Sequence, residues 1–257
     1  MTAHTVLPGG SAARSRPRAR DFERHMRGGG LLTVAMSQRL GARLCVPAHR
    51  LGMRPSALTI ANLVCGTGGS ALAVLGGPRL STGIAAVLLW QLAYCFDCAD
   101  GQLARYTGRT SEAGARLDVM CDLAVHAAVV IAIVVSTAWY VPTAPHWLAS
   151  AFSCAVMINL CASALATSGP AAGSLFTDNN RAVVRAGGLL FDYPVFLTAY
   201  AGFLTFLPGH LDRFLLGVLT ANLLFLAVRL GKAANVSLRW QRCPDRTADP
   251  AGSQPRR

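Results

Sequence analysis

The sequence predicts an all-α integral membrane protein, with six transmembrane helices, an N-terminal amphipathic juxtamembrane helix and both termini in the cytoplasm. Hydrophobic residues make up 53% of the 257 residues and charged residues only 14%, whereas a soluble domain carries about 25% charged residues. The basic residues gather before residue 55 and after residue 228, on either side of a long apolar middle. The composition therefore excludes an ordinary soluble domain, and the charge pattern indicates how the chain is oriented.

Six apolar stretches come close to the roughly 20 residues that a helix needs to cross a bilayer. They cover approximately 57–77, 83–104, 114–139, 146–168, 187–207 and 213–234. With both termini inside, the outer loops hold only Arg79 and Arg213 of the 24 basic residues. Because Lys and Arg are enriched on the cytoplasmic side of membrane proteins, this orientation is predicted. It also explains the net charge of +12 without the basic face that nucleic-acid binding requires.

The two ends of the chain are predicted to be disordered basic tails. Residues 1–30 and 243–257 are rich in Arg, Gly, Pro and Ser, a composition that buries too little apolar surface to fold. Residues 31–242 are then the membrane domain. No apolar segment of the kind found in a cleavable signal peptide lies near the start.

An amphipathic helix is predicted between the first tail and the first span. Leu32, Met36, Leu40 and Leu44 recur at helical spacing, and Arg39 and Arg43 take other positions. Such a helix can lie in the inner membrane interface. An ordinary surface helix is the alternative.

The eight cysteines are scattered and lie mostly in apolar segments, where cysteine behaves as a small hydrophobic residue. Cys95 and Cys98 form a CxxC pair, but no second pair and no suitably spaced His completes a zinc site. Neither a disulfide framework nor a zinc site is predicted.

Four of the twelve acidic residues lie in or beside the second and third predicted spans. They are Asp97, Asp100, Asp118 and Asp122. A carboxylate within a membrane is costly and indicates function. The two pairs have spacings of three and four residues, so each pair shares one helix face. The connection from Tyr106 to Ser111 is short and polar, which makes the helices antiparallel neighbours whose acidic faces converge.

Four carboxylates in a site of low dielectric repel one another and need cations. Oxygen ligands favour Mg²⁺ or Mn²⁺ over zinc or copper, and two such ions are a recurrent device for displacement at phosphorus. Arg105 lies one turn beyond Gly101, at the cytoplasmic edge, where its forked donors can bind phosphate. A cation transporter is the alternative from another class, and it leaves Gly101, Gly114 and Arg105 without a role.

The segment from Asp97 to Asp122 resembles the signature of the CDP-alcohol phosphatidyltransferase family, D-x2-D-G-x2-A-R-x8-G-x3-D-x3-D. All eight fixed positions match, namely Asp97, Asp100, Gly101, Ala104, Arg105, Gly114, Asp118 and Asp122. The rest of the chain is similar in plan, since the family also has an N-terminal amphipathic helix, six spans and the motif on the second and third spans.

This resemblance implies an enzyme of phospholipid biosynthesis that moves a phosphatidyl group from CDP-diacylglycerol to an alcohol and releases CMP. It further implies that Asp97, Asp100 and Asp118 hold two divalent ions, and that Asp122 contributes to one ion and acts as the general base. A homodimer is also implied. The alternative within the family is that a soluble CDP-alcohol donates its headgroup to a diacylglycerol-type lipid.

The resemblance also assigns residues to the nucleotide of the donor. In the family, the motif Gly and Arg bind the CDP group, a Ser or Thr follows the Arg in several members, and a Pro-x-x-x-Thr sequence begins the first span, as Pro55 to Thr59 does here. The expected donor-binding residues are Gly101, Ala104, Arg105, Ser111, Gly114, Ser56 and Thr59.

The acceptor is less defined. Members with a phosphorylated acceptor commonly carry a basic residue after the last motif Asp, where this chain has Leu123. This departure argues against a phosphorylated acceptor without excluding one. Weaker acceptor-binding candidates on the inner side are Arg181, Arg185, Arg229 and Lys232, although topology alone accounts for them.

Overall fold

The computed structural model describes residues 17–26, 33–167 and 192–242, and within these ranges the regular structure is helical, without a strand. We number the α-helices in chain order, and a π-helical turn, Thr33–Ser37, precedes α2. The helices are α1 Ala19–Glu23, α2 Gln38–Arg50, α3 Pro55–Gly76, α4 Leu80–Thr107, α5 Glu112–Tyr140, α6 His146–Thr167, α7 Tyr193–Phe206 and α8 Leu211–Arg242. The all-α prediction is confirmed for the described residues.

Within the described residues, four apolar segments are long enough to cross a membrane. They are Pro55–Gly76, Leu80–Thr107, Glu112–Tyr140 and Pro208–Gly231, and they correspond to the first, second, third and sixth predicted spans. The described apolar parts of the other two, His146–Cys161 and Tyr193–Phe206, are shorter. The chain is therefore a membrane-embedded helical protein, while the count of six spans stays a prediction.

The chain forms two compact units. The first contains the described residues of 17–69, 87–125 and 192–197, and the second contains those of 70–86, 126–167 and 198–242. The acidic cluster belongs wholly to the first unit.

The core of the first unit packs α2 against α4 through small residues. Ala42, Cys45 and Ala48 of α2 are buried with Ala99 and Leu103 of α4. A Cβ atom at Gly41 would lie 3.1 Å from the Cys95 carbonyl oxygen, so the two backbones approach closely. Because small residues occupy this contact, α2 packs closely against α4, the helix that carries Asp97 and Asp100.

The predicted amphipathic segment contains α2 and the π-helical turn before it, which includes Met36, while Leu32 lies outside the described residues. The small residues of α2 face the protein, and Leu44 packs against the same core. By contrast, Met36 and Leu40 are exposed, as are Arg39 and Arg43. Apolar and basic side chains thus share its outer surface, as in a helix at a membrane interface. Its location in that interface stays a prediction.

The range predicted as the first disordered tail contains a short helix, Ala19–Glu23. This segment is ordered because it supplies an apolar anchor: the side chain of Phe22 is fully buried in the core of the first unit. The remainder of that tail, the tail at 243–257 and the boundaries of the membrane domain stay predictions.

Polar contacts between helices hold the second unit together. Asn159 of α6 donates to the side-chain oxygen of Asn222 of α8 at 3.0 Å, and the hydroxyls of Ser136 and Tyr200 are 3.0 Å apart. Such contacts satisfy polar groups that would otherwise be costly to place among apolar helices.

Candidate metal and nucleotide site

The two acidic helices are joined by a tight turn. Helix α4 ends at Thr107 and α5 begins at Glu112, and Gly108 between them has a φ of +65°, which glycine adopts without strain. The hydroxyl of Ser111 accepts a hydrogen bond from the N–H of Gly114 at 3.0 Å and so caps α5. This connection produces the antiparallel pair that the sequence predicted.

The turn brings the carboxylates together. One oxygen from each of Asp97, Asp100 and Asp118 lies within 4.8 Å of the other two, and Asp122 lies one turn after Asp118 on the same face of α5. Asp100 is only 4% exposed. The structure therefore gathers three of the four predicted acids in one cluster, with Asp122 one turn further along α5.

The cluster fits a divalent cation. Oxygen ligands surround Mg²⁺ or Ca²⁺ at about 2.0–2.6 Å, so ligands of one ion lie at most about 5 Å apart. The three carboxylate oxygens meet this limit. Their chemistry is that of a hard-cation site, because each donor is a carboxylate oxygen.

Helix α3 adds two hydrogen-bond donors that orient these acids. The hydroxyl of Thr59 donates to Oδ2 of Asp100 at 2.5 Å, and the amide of Asn62 donates to Oδ1 of Asp122 at 3.1 Å. Both donors are 3% exposed. Since they are three residues apart, one face of α3 orients a carboxylate from each of the other two helices.

Asn62 is not among the site residues predicted from the sequence. A polar amide within an apolar span is costly unless it finds a partner, and Asn62 lies three residues after Thr59, which is itself a predicted donor-binding residue. That combination was the available signal. Thr59 was predicted to bind the donor, and the structure places its hydroxyl on a carboxylate of the cluster.

Gly101 directly follows Asp100 on α4, and Arg105 lies one turn later on the same helix. A Cβ atom at position 101 would be 3.0 Å from Nη1 of Arg105, so the guanidinium lies beside the glycine. Nε of Arg105 donates to the backbone carbonyl of His25 at 3.0 Å. The arginine is thus held at the edge of the acidic cluster.

The other predicted donor residues lie near the end of α4 and at the starts of α5 and α3. Ala104 is half-buried on α4, Gly114 is half-buried in the first turn of α5, and Ser111 is exposed. Ser56 is half-buried in the first turn of α3. The structure groups Ser111 and Gly114 through the capping hydrogen bond, and donor binding by any of these residues stays a prediction.

Of the four basic acceptor candidates, Arg229 alone has a side chain within the described part of the structure, so acceptor binding by these residues stays a prediction. Arg229 belongs to the second unit, where it donates to the carbonyl of Asn159 at 3.3 Å and lies 5.0 Å from the ring centroid of Phe225. Lys232 is on α8, but its side chain is outside the described part. Arg181 and Arg185 also lie outside the described residues.

A further set of polar contacts in the first unit joins Asp192, Thr33 and Tyr94. The carboxylate of buried Asp192 accepts hydrogen bonds from the backbone N–H of Thr33, at 3.1 Å, and from its hydroxyl. That hydroxyl is also 3.2 Å from the hydroxyl of Tyr94, one turn before Asp97. The start of α7 is therefore tied to the π-helical turn before α2.

Fold and site together define a membrane-embedded helical protein with a carboxylate cluster suited to divalent cations. The model of the CDP-alcohol phosphatidyltransferase family matches residues 53–230, which is more than half of the chain and includes the whole cluster. A comparison with curated proteins finds no match. The chain belongs to the CDP-alcohol phosphatidyltransferase family and is a transferase of substituted phosphate groups.

Proposed function

We propose that this protein transfers a phosphatidyl group from CDP-diacylglycerol to an alcohol and releases CMP. The family supports phosphatidyl transfer in lipid synthesis, with a CDP-activated donor and an alcohol acceptor. The observation that carries the proposal is the carboxylate cluster on α4 and α5. A transporter is not needed to explain the acids, because the family accounts for them together with Gly101, Gly114 and Arg105.

Asp97, Asp100 and Asp118 would hold two divalent ions, Mg²⁺ or Mn²⁺, with Asp122 contributing to one of them. When bound, such ions neutralise phosphate oxygens and stabilise the charge that develops during displacement at phosphorus. The family's use of divalent metals and the spacing of the carboxylate oxygens support this assignment.

Asp122 would act as the general base. Its carboxylate takes the proton of the acceptor hydroxyl, the oxygen then bonds to the phosphorus distal to cytidine, and the bond from that phosphorus to the bridging oxygen breaks to release CMP. The amide of Asn62 holds Oδ1 of Asp122, which limits rotation of the carboxylate. Orientation of a general base is a main requirement for efficient proton transfer.

The nucleotide would lie against Gly101 and Arg105. Glycine lets the nucleotide approach the backbone of α4, and the guanidinium offers a fork of donors to the diphosphate. Support for this comes from the guanidinium beside Gly101. Ala104, Gly114, Ser111 and Ser56 lie at the adjoining helix ends and would complete the donor site.

The site would face the cytoplasm of a cell-membrane protein with six spans and both termini inside. Arg109 lies in the turn between α4 and α5, and Arg105 and Arg116 lie on either side of it, as expected for an inner loop. This location would let a soluble alcohol and a lipid tail reach one site. We further propose a homodimer, on the family resemblance.

Release of CMP by detergent-solubilised protein tests the function. With CDP-diacylglycerol, Mg²⁺ and a panel of water-soluble alcohols, one alcohol should yield CMP and a lipid product. If CMP forms only from a soluble CDP-alcohol and diacylglycerol, the direction of lipid transfer is reversed.

Two substitutions separate catalysis from metal binding. Asp122→Asn should abolish CMP release and retain much of the nucleotide binding, whereas Asp97→Ala should lose both. Asp212→Asn, in the first turn of α8, is the matched control and should remain active. Full activity of Asp122→Asn in the presence of Mg²⁺ would contradict the assignment of the base.

A further inference from the structure

A segment that precedes the family match contacts a residue of the family motif. The match begins at residue 53, yet the backbone carbonyl of His25 accepts a hydrogen bond from Nε of Arg105 at 3.0 Å. We call residues 17–26 the N-terminal segment. Its contact with Arg105 uses a main-chain atom, so the position of the backbone, rather than the identity of a side chain, decides whether the contact forms.

The N-terminal segment is anchored beside Arg105 by aromatic packing. Phe22 is fully buried, and its ring centroid lies 4.4 Å from that of Tyr106 and 6.1 Å from that of His49. The ring of His25 meets Tyr106 edge-on at 5.9 Å. Because Tyr106 follows Arg105 directly, this packing fixes the carbonyl of His25 relative to the arginine.

The contact limits rotation of the Arg105 side chain and keeps its guanidinium group beside Gly101. Nε donates to the carbonyl of His25, and Nη1 lies next to Gly101, where the nucleotide is proposed to approach the backbone. A long side chain loses rotamer freedom when it binds a ligand, which costs about 0.5–1.5 kcal/mol for each side chain immobilised. An arginine already held in place avoids much of that cost.

We propose that the N-terminal segment is a positioning element for the donor: it holds Arg105 so that the outer guanidinium nitrogens face the diphosphate of the CDP group. This inference rests on the proposed function, in which Arg105 binds the donor. It adds that a part of the chain outside the family match contributes to donor affinity.

Binding of CDP to the full-length, detergent-solubilised protein in Mg²⁺ tests the proposal by titration calorimetry. Phe22→Ala should weaken CDP binding about 3- to 10-fold, because Arg105 must then be ordered by the ligand. Arg20→Ala, at an exposed position of α1, is the matched control and should bind like the parent protein. Phe22→Leu keeps an apolar side chain in the core and should give an intermediate affinity.

A double-mutant cycle distinguishes positioning from a general loss of packing. If the segment acts through Arg105, adding Phe22→Ala to Arg105→Ala should weaken binding no further. Equal weakening by Phe22→Ala in both backgrounds would overturn the proposal. So would unchanged affinity in Phe22→Ala.

Two further outcomes are separated by the same measurements. If Arg105→Ala binds CDP like the parent protein, the donor site of the proposed function is wrong. If Arg105→Ala weakens binding and Phe22→Ala does not, only the role of the N-terminal segment is wrong. Thermal unfolding without CDP identifies a variant that fails to fold, and Phe22→Leu then supplies the test, with an expected weakening of about 2-fold.

Discussion

Thr59 and Asn62 decide how two of the four carboxylates point. Thr59 donates to Asp100 and Asn62 to Asp122, and both donors are buried. A hydrogen bond to a charged acceptor contributes about 1.5–3 kcal/mol. The donor also fixes the orientation that the carboxylate needs as a metal ligand or a general base. These contacts make Asn62 a positioning residue for the proposed base.

Replacing Asn62 should therefore slow the reaction more than it weakens donor binding. We expect Asn62→Leu to lower kcat for CMP release about 10- to 100-fold, the usual effect of removing an orienting partner. The KM for CDP-diacylglycerol should change less than about 2-fold, because Asn62 is not expected to contact the bound donor. Steady-state kinetics in detergent measure both constants. Ala57→Leu, at an exposed position of α3, should leave both unchanged, and a parallel rise in KM with constant kcat would contradict the positioning role.

At the scale of the element, Gly66 sets the distance between α3 and α5. A Cβ atom there would lie 2.5 Å from Cγ1 of Val125 and 3.2 Å from its Cβ. Val125 is β-branched and has little freedom to move aside within a helix. The close approach allows Asn62, one turn before Gly66, to reach Asp122, one turn before Val125.

We expect Gly66→Ala to reduce both stability and activity. The added methyl group should force the helices apart at a cost of about 1–3 kcal/mol and separate Asn62 from Asp122. The thermal midpoint and the rate of CMP release measure the two effects. Gly66→Ala combined with Val125→Ala should recover much of both, because the second change removes the obstructing methyl groups.

Gly68 provides the matched control for that experiment. It lies on the same helix, but a Cβ atom there would have no neighbour within 4 Å. Gly68→Ala should keep the activity of the parent protein. A similar loss in both alanine variants would show that helix flexibility, rather than contact with Val125, requires the glycine.

The paired acids were predictable from the sequence, and the helix that orients them was not. Spacings of three and four residues place each pair on one helix face, and the short turn makes α4 and α5 neighbours. The donors Thr59 and Asn62 are 41 and 60 residues from their partners along the chain. No local pattern encodes such contacts, nor the one between His25 and Arg105, because they depend on tertiary packing.

At the scale of the whole molecule, metal binding should couple activity to stability. Removal of divalent ions with EDTA should abolish CMP release, and Mg²⁺ or Mn²⁺ should restore it, since the clustered carboxylates repel one another without cations. A ligand present at 100 times its Kd stabilises the folded state by about 2.7 kcal/mol. Thermal unfolding should therefore shift upward on addition of the metal.

Asp97→Ala is the control for that shift. The variant should fold but show a much smaller change in midpoint on addition of Mg²⁺, because it lacks one of the three clustered oxygens. An equal shift in both proteins would place the stabilising ion elsewhere. Activity that survives complete chelation would contradict the metal-dependent mechanism.

The location of the orienting donors on α3 has a consequence for biosynthesis. A chain is made from its N-terminus, so α3 leaves the ribosome before α4 and α5. The donors for Asp100 and Asp122 are then already in the membrane when the hairpin that carries these acids is inserted. Each of these two carboxylates thus meets a hydrogen-bond donor when its helix enters the bilayer. This order of the helices lowers the cost of placing the two carboxylates there.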